Sequence, residues 1–255
     1  MTHVESSRGW VVLPVHNEER FLGGVLEGIR KVLGDQVVVL VVDDGSTDRS
    51  AAEALRAGAR VVRHPFNMGY GVSLQTGFKA ALRGGASWVV IMDADGQHDP
   101  VSLPILLAPV LAGRADVVVG SRFLGSPDYR MPFSKQLGVG LFRLLARLLA
   151  DVRVTDPTSG FQAYGRRATA FCTHDDFPFD FPDTDLLILL KKAGLKLEEV
   201  PVRMHNHPQG KTMHAGLVPY YYVFKMGVSI LATMLRESHS YLGRRVEDPR
   251  PGSPS

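Results

Sequence analysis

The sequence predicts an α/β fold, a mostly parallel central sheet flanked by helices, and three observations carry that expectation. Short β-branched runs alternate with segments of helical period along the first half of the chain. Each run stops abruptly at a polar loop, as a buried parallel strand does where its carboxyl end opens into a crevice. Glycines stand just past the helical segments, at Gly34, Gly58 and Gly84-Gly85, where a helix would stop.

The elements follow in order. Trp10 to Val15 is an apolar run ending in His16-Asn17-Glu18-Glu19, and apolar residues at helical spacing then continue to Leu33. Val37 to Val42 repeats the pattern and ends in Asp43-Asp44-Gly45-Ser46-Thr47-Asp48, before a helix from about Arg49 to Ala57. Ala59 to Arg63 is a third strand. A turn-rich loop from His64 to Gly71 leads to a helix from Val72 to Arg83. Trp88 to Met92 is the fourth strand; Asp99 and Pro100 then read as N-cap and first residue of a helix reaching Leu111. Asp116 to Val119 is a fifth strand, ending in Gly120-Ser121-Arg122. Together these describe a Rossmann-like sheet.

Beyond Arg122 the alternation loosens. Leu124 to Pro132 is loop-like, and Phe133 to Ala150 is an apolar helix on which Arg143 and Arg147 share a face. Such a helix either lies at a membrane interface or packs with a solvated arginine stripe. Asp156 to Tyr164 is a turn entering a short strand. Asp183-Thr184-Asp185 opens a helix that Gly194 stops, and Leu197 to Val202 is a last strand. Residues 217–236 form an apolar helix whose lysine and tyrosines favour an interface over a membrane span. The expected organisation is a flexible segment 1–8, one domain over 9–216, the helix 217–236 and a disordered tail 237–255.

At 255 residues, with 45% hydrophobic content, the chain can bury one large core. A net charge of +3 is too mild to argue for nucleic acid, but it suits a phosphorylated ligand or an anionic membrane surface. The lone Cys172 forms no internal disulfide, and the polar segment before Trp10 lacks the apolar core of a signal peptide. Both point to a cytoplasmic protein.

Chemistry concentrates at Asp93-Ala94-Asp95-Gly96-Gln97-His98-Asp99-Pro100. Residues two apart in extended backbone face the same way, so Asp93, Asp95 and Gln97 can present oxygens to a hard cation. A pair of aspartates after a strand is often only turn and cap. An EF-hand would place glycine and glutamate where His98 and Pro104 stand, and phosphatase-type aspartate pairs usually follow a first strand. What remains is Mg²⁺ or Mn²⁺ held against a diphosphate. Asn17/Glu18, Asp43/Asp44 and Asp93/Asp95 lie at successive strand ends, and gathering carboxylates is costly without a cation or donors between them. Zinc on His205, His207 and His214 is disfavoured without nearby cysteine.

These segments, together with Leu13 to Glu19, Asn67-Met68-Gly69, Gly120 to Phe123 and Thr158 to Phe161, resemble the family 2 glycosyltransferases of the GT-A fold. Similarity is greatest to the branch of dolichol-phosphate mannosyltransferases and bacterial polyprenyl-phosphate sugar transferases. The resemblance implies an inverting transferase taking a hexose from a UDP- or GDP-sugar to a polyprenyl phosphate at the inner face of the membrane. By position it assigns Pro14, Asn17, Glu18, Asp43, Asp44, Gly69, Asp93 and Ala94 to the nucleotide. It assigns Asp93, Asp95 and Gln97 to the metal. Arg122, Ser159, His205, His207 and Lys211 fall to acceptor or phosphate, and Asp95, Asp183, Asp185 and Arg122 to catalysis. A homodimer through the carboxyl-terminal helix is a further expectation.

Two departures bear on the acceptor. The family's late Arg-x-x-Gly-x-Ser loop is here His207-Pro208-Gln209-Gly210-Lys211-Thr212, and its acceptor-side glutamate falls at the shorter Asp185. A soluble sugar or protein hydroxyl acceptor, with Asp183 or Asp185 as base, therefore stands beside the lipid, and a non-catalytic membrane or partner-binding module stands behind both.

Overall fold

The computed structural model describes residues 9–125, 133–175, 177–178 and 182–205. Their strands are β1 (Gly9–Val15), β2 (Val38–Asp43), β3 (Arg60–Arg63), β4 (Trp88–Ile91), β5 (Val117–Ser121), β6 (Gln162–Gly165) and β7 (Leu197–Pro201). They form one sheet in the order β3-β2-β1-β4-β6-β5-β7. All pairings are parallel except those of β6, which runs antiparallel to both β4 and β5.

The helices are α1 (Leu22–Leu33), α2 (Ser50–Arg56), α3 (Tyr70–Arg83), α4 (Leu103–Leu111), the single turn α5 (Arg122–Gly125), α6 (Phe133–Ala150), α7 (Arg166–Phe171) and α8 (Thr184–Lys192). Alternation along the strands divides the core into two layers. Trp10, Val12, Val42 and Ile91 pack with α3, α6 and α8 on one face. Val11, Leu13, Val41 and Val90 pack with α1 and α4 on the other. Phe78 of α3 is fully buried in the first layer, edge-on to Tyr164 at 4.8 Å. Its truncation to alanine would cost about 3–5 kcal/mol. Gly77 brings α3 close to the sheet: a Cβ there would lie 2.3 Å from Val12 Cγ1.

Helix α1 stops where expected, at Gly34 with φ 73°. Asp99 caps as expected too, accepting from the Val101 amide, although the chain enters α4 through a 3₁₀ turn over Pro100–Ser102. Helix α7 was given no element by the sequence pattern; its first turn is Arg166-Arg167, which hides any apolar period. Among the described residues no helix is long and apolar enough to cross a membrane. The expected segments 1–8, 217–236 and 237–255 lie outside the described residues, as does any dimer contact through 217–236.

Candidate active site

The sheet order sets the site. β1 lies between β2 and β4, so the loops leaving the carboxyl ends of these three strands are neighbours. The first two are laced together. Asn17, at φ 60°, a conformation asparagine tolerates, accepts from the Thr47 amide at 2.8 Å and the Asp48 amide at 3.3 Å. The Glu18 amide donates to Ser50 Oγ at 2.8 Å. Pro14 is buried in β1 opposite Val42, and because it has no N–H to donate, the β1–β4 ladder goes no further than the Met92 amide on Val12 O.

Asp44 is saturated from within. Its carboxylate lies 2.7 Å from His64 Nδ1 and accepts the Met68 and Gly69 amides at 2.8 and 2.9 Å. Asp43 is fully buried, accepts the Ser46 amide at 3.0 Å, and has Arg63 Nε 3.0 Å from Oδ2 as an ion-pair contact without hydrogen-bond alignment. Gly45 between Ser46 and these aspartates must be glycine: φ is 67°, and a Cβ would meet the Phe66 backbone at 2.5 Å.

The start of α3 joins the second loop to the fourth. Gly69 binds Asp44, and the next residue, Tyr70, donates its hydroxyl to Asp93 Oδ1 at 3.1 Å. Burial, then the charges of Asp93 and Asp183, keep the Tyr70 phenol protonated far above its usual range. Asp93 itself is pushed up by burial, against the Tyr70 hydrogen bond and the Arg122 charge. The run bends over residues 94–96, with Gly96 at φ 80° as the expected bend, so the backbone is not extended from Asp93 through Gln97. Asp95 accepts the Gln97 amide at 2.9 Å and faces Gln97 Nε2 at 2.5 Å, so Gln97 braces Asp95 with its nitrogens. Ala94 is buried beneath them.

Glu18 completes the cluster. Burial first, then the charges of Asp95, Asp48 and Asp93, push its carboxyl up to about 7. Asp95, Asp48 and Asp93 therefore lie close enough to disfavour the ionisation of Glu18. Among the described residues no cluster of three or more protein ligands is preformed for a metal. A hard divalent cation needs only one or two carboxylates when phosphate and water supply the rest, so the donor set fits Mg²⁺ or Mn²⁺ beside a diphosphate.

Across from this cluster, Arg122 leaves the end of β5. Its Nε lies 2.5 Å from Asp156 Oδ2, and a terminal nitrogen donates to the Thr158 carbonyl at 3.3 Å. Glu199 on β7 fixes that turn by accepting from the Thr155 amide at 2.8 Å and the Asp156 amide at 2.9 Å. Ser159 is fully buried with its hydroxyl on the Phe161 amide, so it shapes the turn. Gly160 leaves room beside Asp93, where a Cβ would come within 3.2 Å of the carboxylate.

The two acidic candidates on α8 part company. Asp183 stands at the N-cap position without capping, half-buried, and its charge reaches Tyr70 and Tyr164. Asp185 is buried, with Oδ1 on the Leu186 amide. His205 is exposed and lies 3.1 Å from Asp99 Oδ2; its amide donates to the Gln97 carbonyl at 2.8 Å. His207 and Lys211 lie outside the described residues.

Four residues of the site carried no role in the sequence reading: Tyr70, His98, Asp156 and Glu199. His98 lies inside the aspartate motif and Tyr70 directly follows Asn67-Met68-Gly69, so adjacency was their only signal. Asp156 and Glu199 act through contacts that only the tertiary fold creates. Burial pushes His98 down to about 4, so its imidazole is neutral.

Residues 10–170 match the family described as Glycosyl transferase family 2. The chain is 34% identical to the polyprenol monophosphomannose synthase of Mycolicibacterium smegmatis, covering 83% of this chain and 82% of that one. It is 26% identical to the UDP-N-acetylglucosamine–dolichyl-phosphate N-acetylglucosaminyltransferase of Methanococcus voltae, covering 86% of this chain and 96% of that one. Its fold is similar to that of glucosyl-3-phosphoglycerate synthase from Mycobacterium tuberculosis, solved with Mn²⁺ and UDP-glucose. The TM-score is 0.66 at 23% identity, covering 90% of this chain and 79% of that one. With its motifs at the carboxyl ends of a GT-A-like sheet and the match spanning more than half its length, the chain belongs to the family 2 glycosyltransferases and is a transferase.

Proposed function

We propose that this chain moves a hexose, with inversion, from a nucleotide-diphosphate sugar to a polyprenyl phosphate at a membrane surface. The observation that carries the donor half is the placement of Glu18 against Asp95, Asp48 and Asp93, which with burial raises its carboxyl to about 7. Carboxylates so placed favour a ligand that brings positive charge among them. In this reading the first two loops and the loop ending at Gly69 receive the nucleoside.

Asp93 and Asp95, braced by Tyr70 and Gln97, would hold Mg²⁺ or Mn²⁺, which when bound neutralises the departing diphosphate. The acceptor phosphate is already ionised. One of its oxygens forms the new bond to the anomeric carbon while the bond to the diphosphate oxygen breaks, so no general base is required. Arg122, set by Asp156 and Glu199, contributes fixed positive charge on the acceptor side, and His207 and Lys211 are proposed to join it.

The membrane half rests on α6. Val139, Phe142 and Ala146 face the core, whereas Leu141, Leu144 and Leu148 are 44%, 51% and 71% exposed, with Arg143 and Arg147 also at the surface. Phe123 and Leu124 extend this apolar area toward Arg122, and Arg143 stacks over the Phe123 ring. Exposed apolar side chains among arginines suit the surface of an anionic bilayer. The polyprenol monophosphomannose synthase among the relatives supports a lipid phosphate as acceptor.

Incubating the protein with labelled UDP- and GDP-sugars, Mn²⁺ and polyprenyl phosphate tests the proposal. Label is expected in the lipid product, and none with any donor beside a working control enzyme would overturn it. The position of Asp183 near Tyr70 favours one second reading, transfer to a soluble hydroxyl with Asp183 as base. In that case Asp183→Asn abolishes turnover and spares donor binding.

A further inference from the structure

The first aspartate of the metal-side turn sits just past the end of its strand. The Met92 amide still finds Val12 O at 3.1 Å, but the Asp93 amide has run beyond the sheet ladder. It donates to His98 Nδ1 at 3.0 Å. Because the amide must be the donor, Nδ1 is bare and the ring proton sits on Nε2, which faces Asp93 Oδ2 at 3.6 Å. One imidazole thus addresses both the backbone and the carboxylate of Asp93.

The ring cannot swing away. It is buried and stacked on Phe161, with ring centroids 4.8 Å apart and planes 9° from parallel. Phe161 is fully buried and anchored by its carbonyl to the Gly120 amide at 2.9 Å. The His98 backbone bridges to Met204, with the Gln97 carbonyl accepting from His205 and the Asp99 amide donating to Arg203 on either side. The histidine is therefore held by the β5–β6 region and by the exit of β7, and it passes that rigidity to Asp93.

We propose that His98 is a positioning residue: by accepting the Asp93 amide on Nδ1 it sets the Asp93 carboxylate for the donor's diphosphate and its cation. The proposal rests on the donor-site reading above. Partners that orient a ligating carboxylate typically govern metal affinity by about 10–100-fold. A residue that keeps the acceptor should preserve the function, and one that keeps only the ring should not.

His98→Asn places an amide oxygen where Nδ1 stands, and His98→Phe keeps the stack on Phe161 but removes the acceptor. Nucleotide affinity of the full chain is measured by calorimetry for wild type and both variants, with UDP and GDP, each with and without Mn²⁺. Expected are a Mn²⁺-dependent gain within about threefold of wild type for His98→Asn and a gain reduced about tenfold or more for His98→Phe. Metal-free affinity should be equal in all three; a general folding defect would lower it together with the gain. In the wild type, ring ¹⁵N shifts should report the Nε2–H tautomer, and a coupling across the hydrogen bond should link Nδ1 to the Asp93 amide nitrogen.

A His98→Phe protein with the wild-type gain, a His98→Asn protein as impaired as His98→Phe, or an Nδ1–H tautomer would each overturn the proposal. A wild-type chain without any Mn²⁺-dependent gain would overturn the donor-site reading and the proposal with it. The wild-type titration alone tells that failure from the others.

Discussion

Carboxylates gather on both sides of the site, buried or partly buried, yet the two sides treat them differently. On the β5–β7 side each has its partner within the fold: Asp156 has Arg122, Glu199 has the amides of Thr155 and Asp156, and Asp185 has the Leu186 amide. On the β1–β4 side Asp44 is equally saturated, but the Glu18 carboxyl faces the charges of Asp95, Asp48 and Asp93. Among the described residues no group donates a hydrogen bond to the Glu18 carboxyl. Internally satisfied acids build the scaffold, whereas the acid held at a cost lies beside the two aspartates proposed to hold the cation.

That contrast breaks most readily at Asp95. Asp95→Asn keeps the size and leaves the scaffold intact, so melting should hardly move while transfer falls on the order of a hundredfold or more, in a steady-state assay with saturating Mn²⁺. Equal activity would erase the distinction between the two sides.

Arg122→Ala should show the reverse balance. It strands the fully buried Asp156, and loss of one partner of such a pair costs about 3 kcal/mol, readable by urea denaturation, alongside lost activity. Asp44→Ala removes the acceptor of two backbone amides and His64, and should cost about 2 kcal/mol by the same measurement.

The Glu18 carboxyl ionises near 7 in the folded chain against an ordinary 4.5. Between those values the folded state holds more protons than the unfolded one, so stability falls as pH rises through this window. Above it the loss is complete. Glu18→Gln should therefore stabilise the ligand-free protein at pH 8, by about 1 kcal/mol once solvent screening of a half-buried group is allowed for, and have little effect at pH 4. Denaturation curves at the two pH values check the sign.

Much of the β1–β4 half was legible because its signals are local. A β-branched run, a polar stop and a glycine past the next helix locate each unit, and observed boundaries fall within two residues of the expected ones for β1 to β5 and α1 to α3. Helix α3 starts at Tyr70, two residues early, because the Gly69 amide is spent on Asp44 and no apolar period marks that turn. What the sequence withheld is non-local. A four-residue strand such as β6 is visible as a short run, but nothing in it says that it enters antiparallel between β4 and β5. That insertion brings Phe161 under His98 and Asp156 beside Arg122. That the aspartate loops leave neighbouring strands follows from the sheet order β2-β1-β4. That Asp44 is saturated while Glu18 is not depends on His64, Met68 and Gly69 folding back, which spacing does not reveal.

In the proposed function a divalent cation and a diphosphate-bearing donor sit among Glu18, Asp93 and Asp95. Calorimetric titration of UDP and GDP into the wild-type chain and Asp95→Asn, with and without Mn²⁺, addresses it most directly. Mn²⁺ should strengthen binding of at least one nucleotide by about tenfold or more in the wild type and not in the variant. Binding that ignores Mn²⁺, or a variant that responds to Mn²⁺ like the wild type, would contradict it.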